Sequence, residues 1–325
     1  MSTRARLARE LAAQGLLPSR ETYITCQREV EARGEALLDR LASVTGRRTW
    51  RRGLAKIGDA NLPLDCRRVA GFGELLTRFL IAPVPLDDLS RDEVARLGAL
   101  ANVIVALFDL VVDSGTDRRA ILPRPLFALL ASRRAGWLGT IISSAGGARV
   151  RLIARLVRDY FKTLRSLAGH RSDAVLQDVL RAIVRMYELE GRGRNETPAS
   201  RSTVLRKSAF PLVVMGLPAW LAVPHHGRAA MRAHRRWLFK TARFIRWVDD
   251  AADEALDARD QHPNLFLACR RDAVPAVAKR AGLLITDWHR HAGRESCDGF
   301  TSCVVSWFGG PDILEETRAQ IHDAG

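Results

Sequence analysis

The chain contains no Cys-x-x-Cys pair, and its five cysteines, Cys26, Cys66, Cys269, Cys297 and Cys303, are odd in number and widely spaced. This excludes a disulfide framework and a zinc ribbon and fits reduced thiols in a cytoplasm. No apolar run reaches the roughly eighteen residues that cross a bilayer. The first twenty residues lack the apolar centre of a signal peptide. They are Arg-rich and amphipathic, but Glu10 and the helix formers around it read as a surface helix rather than a transit peptide. The glycine-rich segment GWLGTIISSAGGAR has no phosphate-loop Lys-Ser/Thr. Aromatics make up only 6 % of the chain, and five of its 51 basic residues are lysine. No repeat at solenoid periods, no low-complexity tract and no series of alternating strands is present.

Ala, Leu, Val and Arg dominate instead, a composition that leans helical. At 325 residues and 47 % hydrophobic, the chain can bury a large core. Its net charge of +15 favours anionic partners: nucleic acid, acidic lipid or a phosphorylated substrate. Periodicity and breakers predict helices over 1–20 (stopped by Pro18), 21–45, 64–82, 90–113, 148–168, 173–190 and 227–258. Residues 46–63 read as a basic loop, 120–135 as a short segment and 191–200 as a polar loop. A helix through RKSAFPLVVMGLPAWLA should be kinked or broken by Pro211 and Pro218. Residues 260–281 look less regular, and FTSCVVSWFGGP is ambiguous between helix and strand. The expectation is one all-α domain of about ten or more helices over 64–325, with residues 1–63 as a helical and basic extension packed on it.

Two aspartate ladders stand out. Asp109, Asp113 and Asp117 recur every four residues. Asp249-Asp250, Asp253, Asp257 and Asp260 form the second group, 140 positions after the first. Carboxylates four apart share a helix face and repel one another. A solvated face explains the second ladder as well as it explains any acidic helix. It explains the first poorly, because Asp109 and Asp113 interrupt the apolar stretch LGALANVIVALFDLVVD, where unpaired carboxylates are expensive. A hard divalent cation gives both ladders a purpose. Magnesium takes oxygen ligands and is commonly shared between carboxylates and substrate phosphates.

These residues resemble class I isoprenoid synthases. Asp249-Asp250-Ala251-Ala252-Asp253 matches DDxxD, in second place along the chain, while Asp109-Leu110-Val111-Val112-Asp113 is a DxxxD motif in first place. That order is similar to squalene and phytoene synthases and to bacterial large-terpene synthases. The tail Asn264-Leu265-Phe266 looks like the second motif of the large-terpene group. Arg206-Lys207-Ser208-Ala209 resembles the basic stretch between the acidic motifs of the squalene/phytoene group. The resemblance spans about 70–270; the NSE/DTE triad of classical terpene cyclases is missing.

The resemblance implies an isoprenoid-synthase bundle around a central apolar cavity. It implies Mg2+ held by Asp109 and Asp113 on one wall and by Asp249, Asp250, Asp253 and Asp257 on the other. Asp109, Asp113, Asp249 and Asp253 would be the catalytic set. Arg206 and Lys207 would contact diphosphate, with Arg185 a further candidate; Arg118 and Arg246 would pair either with phosphate or with the ladders. The implied activity is that of a carbon–oxygen lyase acting on a linear polyprenyl diphosphate, with cyclisation or elimination to a terpene hydrocarbon. Head-to-head prenyl transfer is the alternative within the class, and a basic helical nucleic-acid-binding protein the alternative outside it. The partners expected are a prenyl diphosphate and no nucleic acid, with peripheral membrane association and a monomer or homodimer left open. His225-His226 and His289-x-His291 lack supporting ligand spacing, Cys269 reads as a buried small residue rather than a nucleophile, and the arginines around Trp50 read as a solvated basic loop.

Overall fold

A computed structural model describes the chain except residues 46–65, 114–147, 170–172, 196–200, 224–226, 261, 263, 270, 271 and 323–325. The described residues form eleven α-helices and no strand. They are α1 (Thr3–Ala13), α2 (Arg20–Thr45), α3 (Cys66–Ile81), α4 (Asp88–Asp113), α5 (Ala148–Ala168), α6 (Asp173–Asn195), α7 (Arg201–Gly216), α8 (Arg228–Asp260), α9 (Val274–Ala292), α10 (Arg294–Trp307) and α11 (Pro311–His322). A 3-10 turn, Leu217–Leu221, follows α7. The basic loop expected at 46–63 and the segment at 120–135 lie outside the described residues.

Several boundaries differ from the sequence expectation. The first helix ends at Ala13 because Gly15 adopts a positive φ of 68°, ahead of Pro18. α6 continues through Gly191 and Gly193 to Asn195, so the first half of the expected polar loop is helical. Pro211 sits inside α7 without ending it, and Pro218 opens the 3-10 turn. The ambiguous C-terminal stretch is helical: Phe300 through Val305 are all buried in α10, which hides the helical period. Gly309 and Gly310, at φ 103° and 84°, then turn the chain into α11.

α3 is the hub of the bundle. It packs against α2, α4, α7 and α10. Phe79 on α3, 1 % exposed, explains how so few aromatics hold so many helices. Its ring stacks on Phe300 of α10 at 4.1 Å and meets Trp237 of α8 at 5.2 Å and Trp288 of α9 at 4.9 Å. Trp237 and Trp288 stack on each other at 3.5 Å. Large rings with specific contact geometry thus join four helices at one point.

Charge pins the other side of α3. Glu74 is 5 % exposed; it accepts from Arg33 of α2 at 2.8 Å and from Arg78 at 3.1 Å. Arg78 also reaches Asp92 of α4 at 2.6 Å. A buried carboxylate is tolerable only with such partners.

His234 ties α8 to the end of α3. Trp220 Nε1 donates to His234 Nδ1 at 2.8 Å, so the proton sits on Nε2, which donates to the Leu80 carbonyl at 2.7 Å. Burial pushes the ring pKa from 6.5 down to about 4. Above pH 6.5 both folded and unfolded chains carry the neutral ring. As pH falls, only the unfolded chain takes up the proton, so stability is lost down to about pH 4. The total loss is about 3 kcal/mol. Denaturant unfolding at pH 7 and pH 4.5 checks this, and His234→Gln should remove that part of the slope.

Candidate functional site

The second ladder occupies the C-terminal half of α8. Arg246, Asp249, Asp250, Asp253 and Asp257 follow helical spacing and form one stripe, while Phe244, Trp247, Val248 and Ala251 are buried in the core. The stripe is not uniform. Asp250 is 1 % exposed. Its Oδ2 accepts from the Leu265 amide at 2.8 Å, and its Oδ1 faces Arg246 Nη2 at 2.5 Å. Burial pushes its carboxyl up to about 6 despite the attraction of Arg246. Arg246 also donates to Asp249 at 3.0 Å and so bridges two acids of the ladder.

The segment after α8 folds back to build this wall. Asn264 Nδ2 donates to the Asp250 carbonyl at 2.7 Å and to Asp257 Oδ2 at 2.9 Å. Its Oδ1 accepts from the amides of Phe266 and Leu267 at 2.9 and 3.3 Å, which closes a tight turn. Phe266 packs edge-on against Trp247 at 4.8 Å. The tail Asn264-Leu265-Phe266 is therefore a clamp on α8. Trp247 was not singled out from the sequence; an aromatic three residues before Asp250 is its only signal there.

Asp253 is exposed and forms no hydrogen bond or ion pair with a described residue. Partial desolvation, then the charge of Asp257 one turn on, raises its pKa. Asp257 lies 3.7 Å from His262 Nδ1. Asp249, Asp253 and Asp257, four apart, thus present hard oxygen donors along one line, the donor chemistry that suits magnesium.

The first ladder closes α4. Asp109 lies one turn before the end and Asp113 is the last residue, so the two share a face. Their side chains lie outside the described residues, as do Asp117, Arg118 and the side chains of Asp260, Arg206 and Lys207. Just before Asp109, Val103 and Leu107 are buried, but Ile104, Val105 and Ala106 keep some accessible surface. α4 is therefore less completely buried than its sequence suggests. Among the described residues no group of three His, Cys, Asp or Glu side chains is placed to hold a metal ion.

α7 relates the two walls. It packs against both α4 and α8, whereas among the described residues those two helices hardly touch directly. Phe210 of α7 meets Phe239 of α8 edge-on at 5.7 Å. Arg206 and Lys207 lie on the N-terminal half of this same helix. Arg185 lies on α6, which packs against α7; it is half-buried and already has a partner.

Two described clefts lie away from the ladders. One of about 560 Å³ sits between α2, α4 and α5, over Leu41 and Leu97 with Arg40 and Lys162 in its wall. The other, of about 700 Å³, is walled by Tyr23 of α2, Phe72 of α3 and the Gly309-Gly310 turn. The chain matches no protein-family model and no curated protein.

Proposed function

We propose that the chain is a magnesium-dependent isoprenoid synthase. It ionises a linear polyprenyl diphosphate, releases diphosphate and forms a terpene by cyclisation or elimination. The observation that carries this reading is the row Asp249, Asp253 and Asp257 on α8, braced by Asn264. α7 joins this helix to the one that ends in Asp109 and Asp113.

Magnesium bound with the diphosphate would neutralise the leaving group's charge as a Lewis acid. Asp253 and Asp257 would hold it from α8, and Asp109 and Asp113 from α4. Asp250 serves differently: its Oδ2, bonded to the Leu265 amide, fixes the loop that braces the row, while its Oδ1 is paired with Arg246. Arg246 offsets the charge of Asp249 and Asp250. Arg206 and Lys207, carried by the helix that touches both walls, are the groups to grip the departing diphosphate. Ile104, Val105 and Ala106 offer apolar surface beside the first ladder, where a cation formed from the chain would be kept from water.

Incubation with C10 to C35 prenyl diphosphates tests the reading directly. The expected result is magnesium-dependent release of diphosphate with a hydrocarbon product of the substrate's carbon number. A product with twice that number would place the chain with head-to-head transferases. Release from none of the substrates overturns the proposal.

A further inference from the structure

α8 carries a second ladder, of opposite sign. Arg228, Arg232, Arg236 and Lys240 recur every four residues along its N-terminal half, and Arg243 follows on the same side. All five are exposed, and none forms an ion pair with a described residue. No acidic residue occurs between Arg228 and Val248. This arrangement works against the helix. Like charges four apart repel, and cations near a helix N-terminus oppose its dipole. The first turn of α8 has no acid to compensate. The neighbouring helix α9, held to this half of α8 by the Trp237–Trp288 stack, exposes three cations, Lys279, Arg280 and Arg290, and one acid, Asp287, around Leu283, itself 66 % exposed.

We propose that the N-terminal half of α8 is a docking surface for an anionic lipid bilayer. The row from Arg228 to Arg243 is roughly 22 Å long at the rise of an α-helix, and the helix lies against the bundle with its cations outward. The five cations wind over about a third of the helix's circumference and form one basic face, and a cluster of four to eight cations suits the charged plane of a membrane. It suits nucleic acid less well. The large hydrophobic side chains exposed among the described residues are Met1, Leu89, Leu256, Leu267 and Leu283, with no aromatic among them to stack on bases. Phe239, within the row, is packed against Phe210 and covered by Arg235 at 5.9 Å. The surface is independent of the diphosphate reading, because it occupies the opposite end of α8 from the aspartates.

Sedimentation of the full chain with phosphatidylcholine vesicles, with and without about 30 % phosphatidylserine, tests it. Binding is expected only to the anionic vesicles and should weaken steeply with salt. Each cation near such a surface is worth about fivefold, so Arg232→Gln/Arg236→Gln/Lys240→Gln should lose about a hundredfold in partitioning. The three side chains are exposed, so the variant should melt as the parent does and keep any diphosphate-releasing activity on soluble short-chain substrate. Equal binding to neutral vesicles, or an undiminished variant, overturns the proposal. So does tighter binding to a DNA duplex that the same variant loses.

Discussion

Asp253→Ala is expected to lower magnesium-dependent diphosphate release about a thousandfold and to leave thermal melting unchanged. The rate effect follows from losing one carboxylate of the row that would hold the metal. Metal neutralisation of a developing anion is worth several kcal/mol, and about 4 kcal/mol corresponds to a factor of a thousand. The absence of a stability effect follows from the geometry. Asp253 is exposed and makes no hydrogen bond with a described residue, and its charge is disfavoured where it stands. Removing it relieves repulsion from Asp257 without opening a cavity. Steady-state kinetics and a circular-dichroism melt of the same preparation measure both quantities. Full activity in the variant would reduce Asp253 to a solvated acid and the second ladder to a surface.

Gly71→Ala is expected to destabilise the fold by about 3 kcal/mol, a typical upper value for overpacking. A Cβ at Gly71 would stand 1.8 Å from the Val30 carbonyl oxygen and 2.6 Å from its carbon. Across the same crossing, a Cβ on Gly34 would stand 2.0 Å from the Arg67 carbonyl oxygen. These neighbours are backbone and have no rotamer to change, so α2 and α3 must part. Separation forfeits the dispersion contacts around the crossing and loosens the helix against which α4 packs. With an unfolding entropy of about 2.1 cal/mol/K per residue, the melting temperature should fall by roughly 4–5 °C for a chain of 325 residues. Gly227→Ala is the control, because nothing lies within 4 Å of its added carbon. A Gly71→Ala variant that melts with the parent would mean that the helices can separate at little cost.

How far the sequence could be read depended on whether local pattern or distant contact decided a feature. α5 begins and ends where its amphipathic period does, at Ala148–Ala168, and from Leu152 to Ala168 one face is buried. α10 could not be read this way: Phe300 through Val305 are buried on every side, so helix and strand predict the same apolar run. The ladders were visible because repulsion between charges four apart needs only helical spacing. The differences within the second ladder were not. Asp250 and Asp253 are both aspartates in one motif, yet Asp250 is buried and Asp253 exposed. The distinction arises because Leu265, fifteen residues further on, returns to hydrogen-bond Asp250. The role of Asn264 is of the same kind, since its partners are set by the path of the turn rather than by periodicity.

The sequence alone determined the helical class and the two rows of carboxylates, because backbone propensity and four-residue spacing act locally. Tertiary structure decided which carboxylates face solvent and which are spent on structure. It also set α7 between the helices that carry them, and left the cationic row of α8 on the surface. Those outcomes depend on which faces the bundle covers, and coverage is set by contacts between residues far apart in the chain.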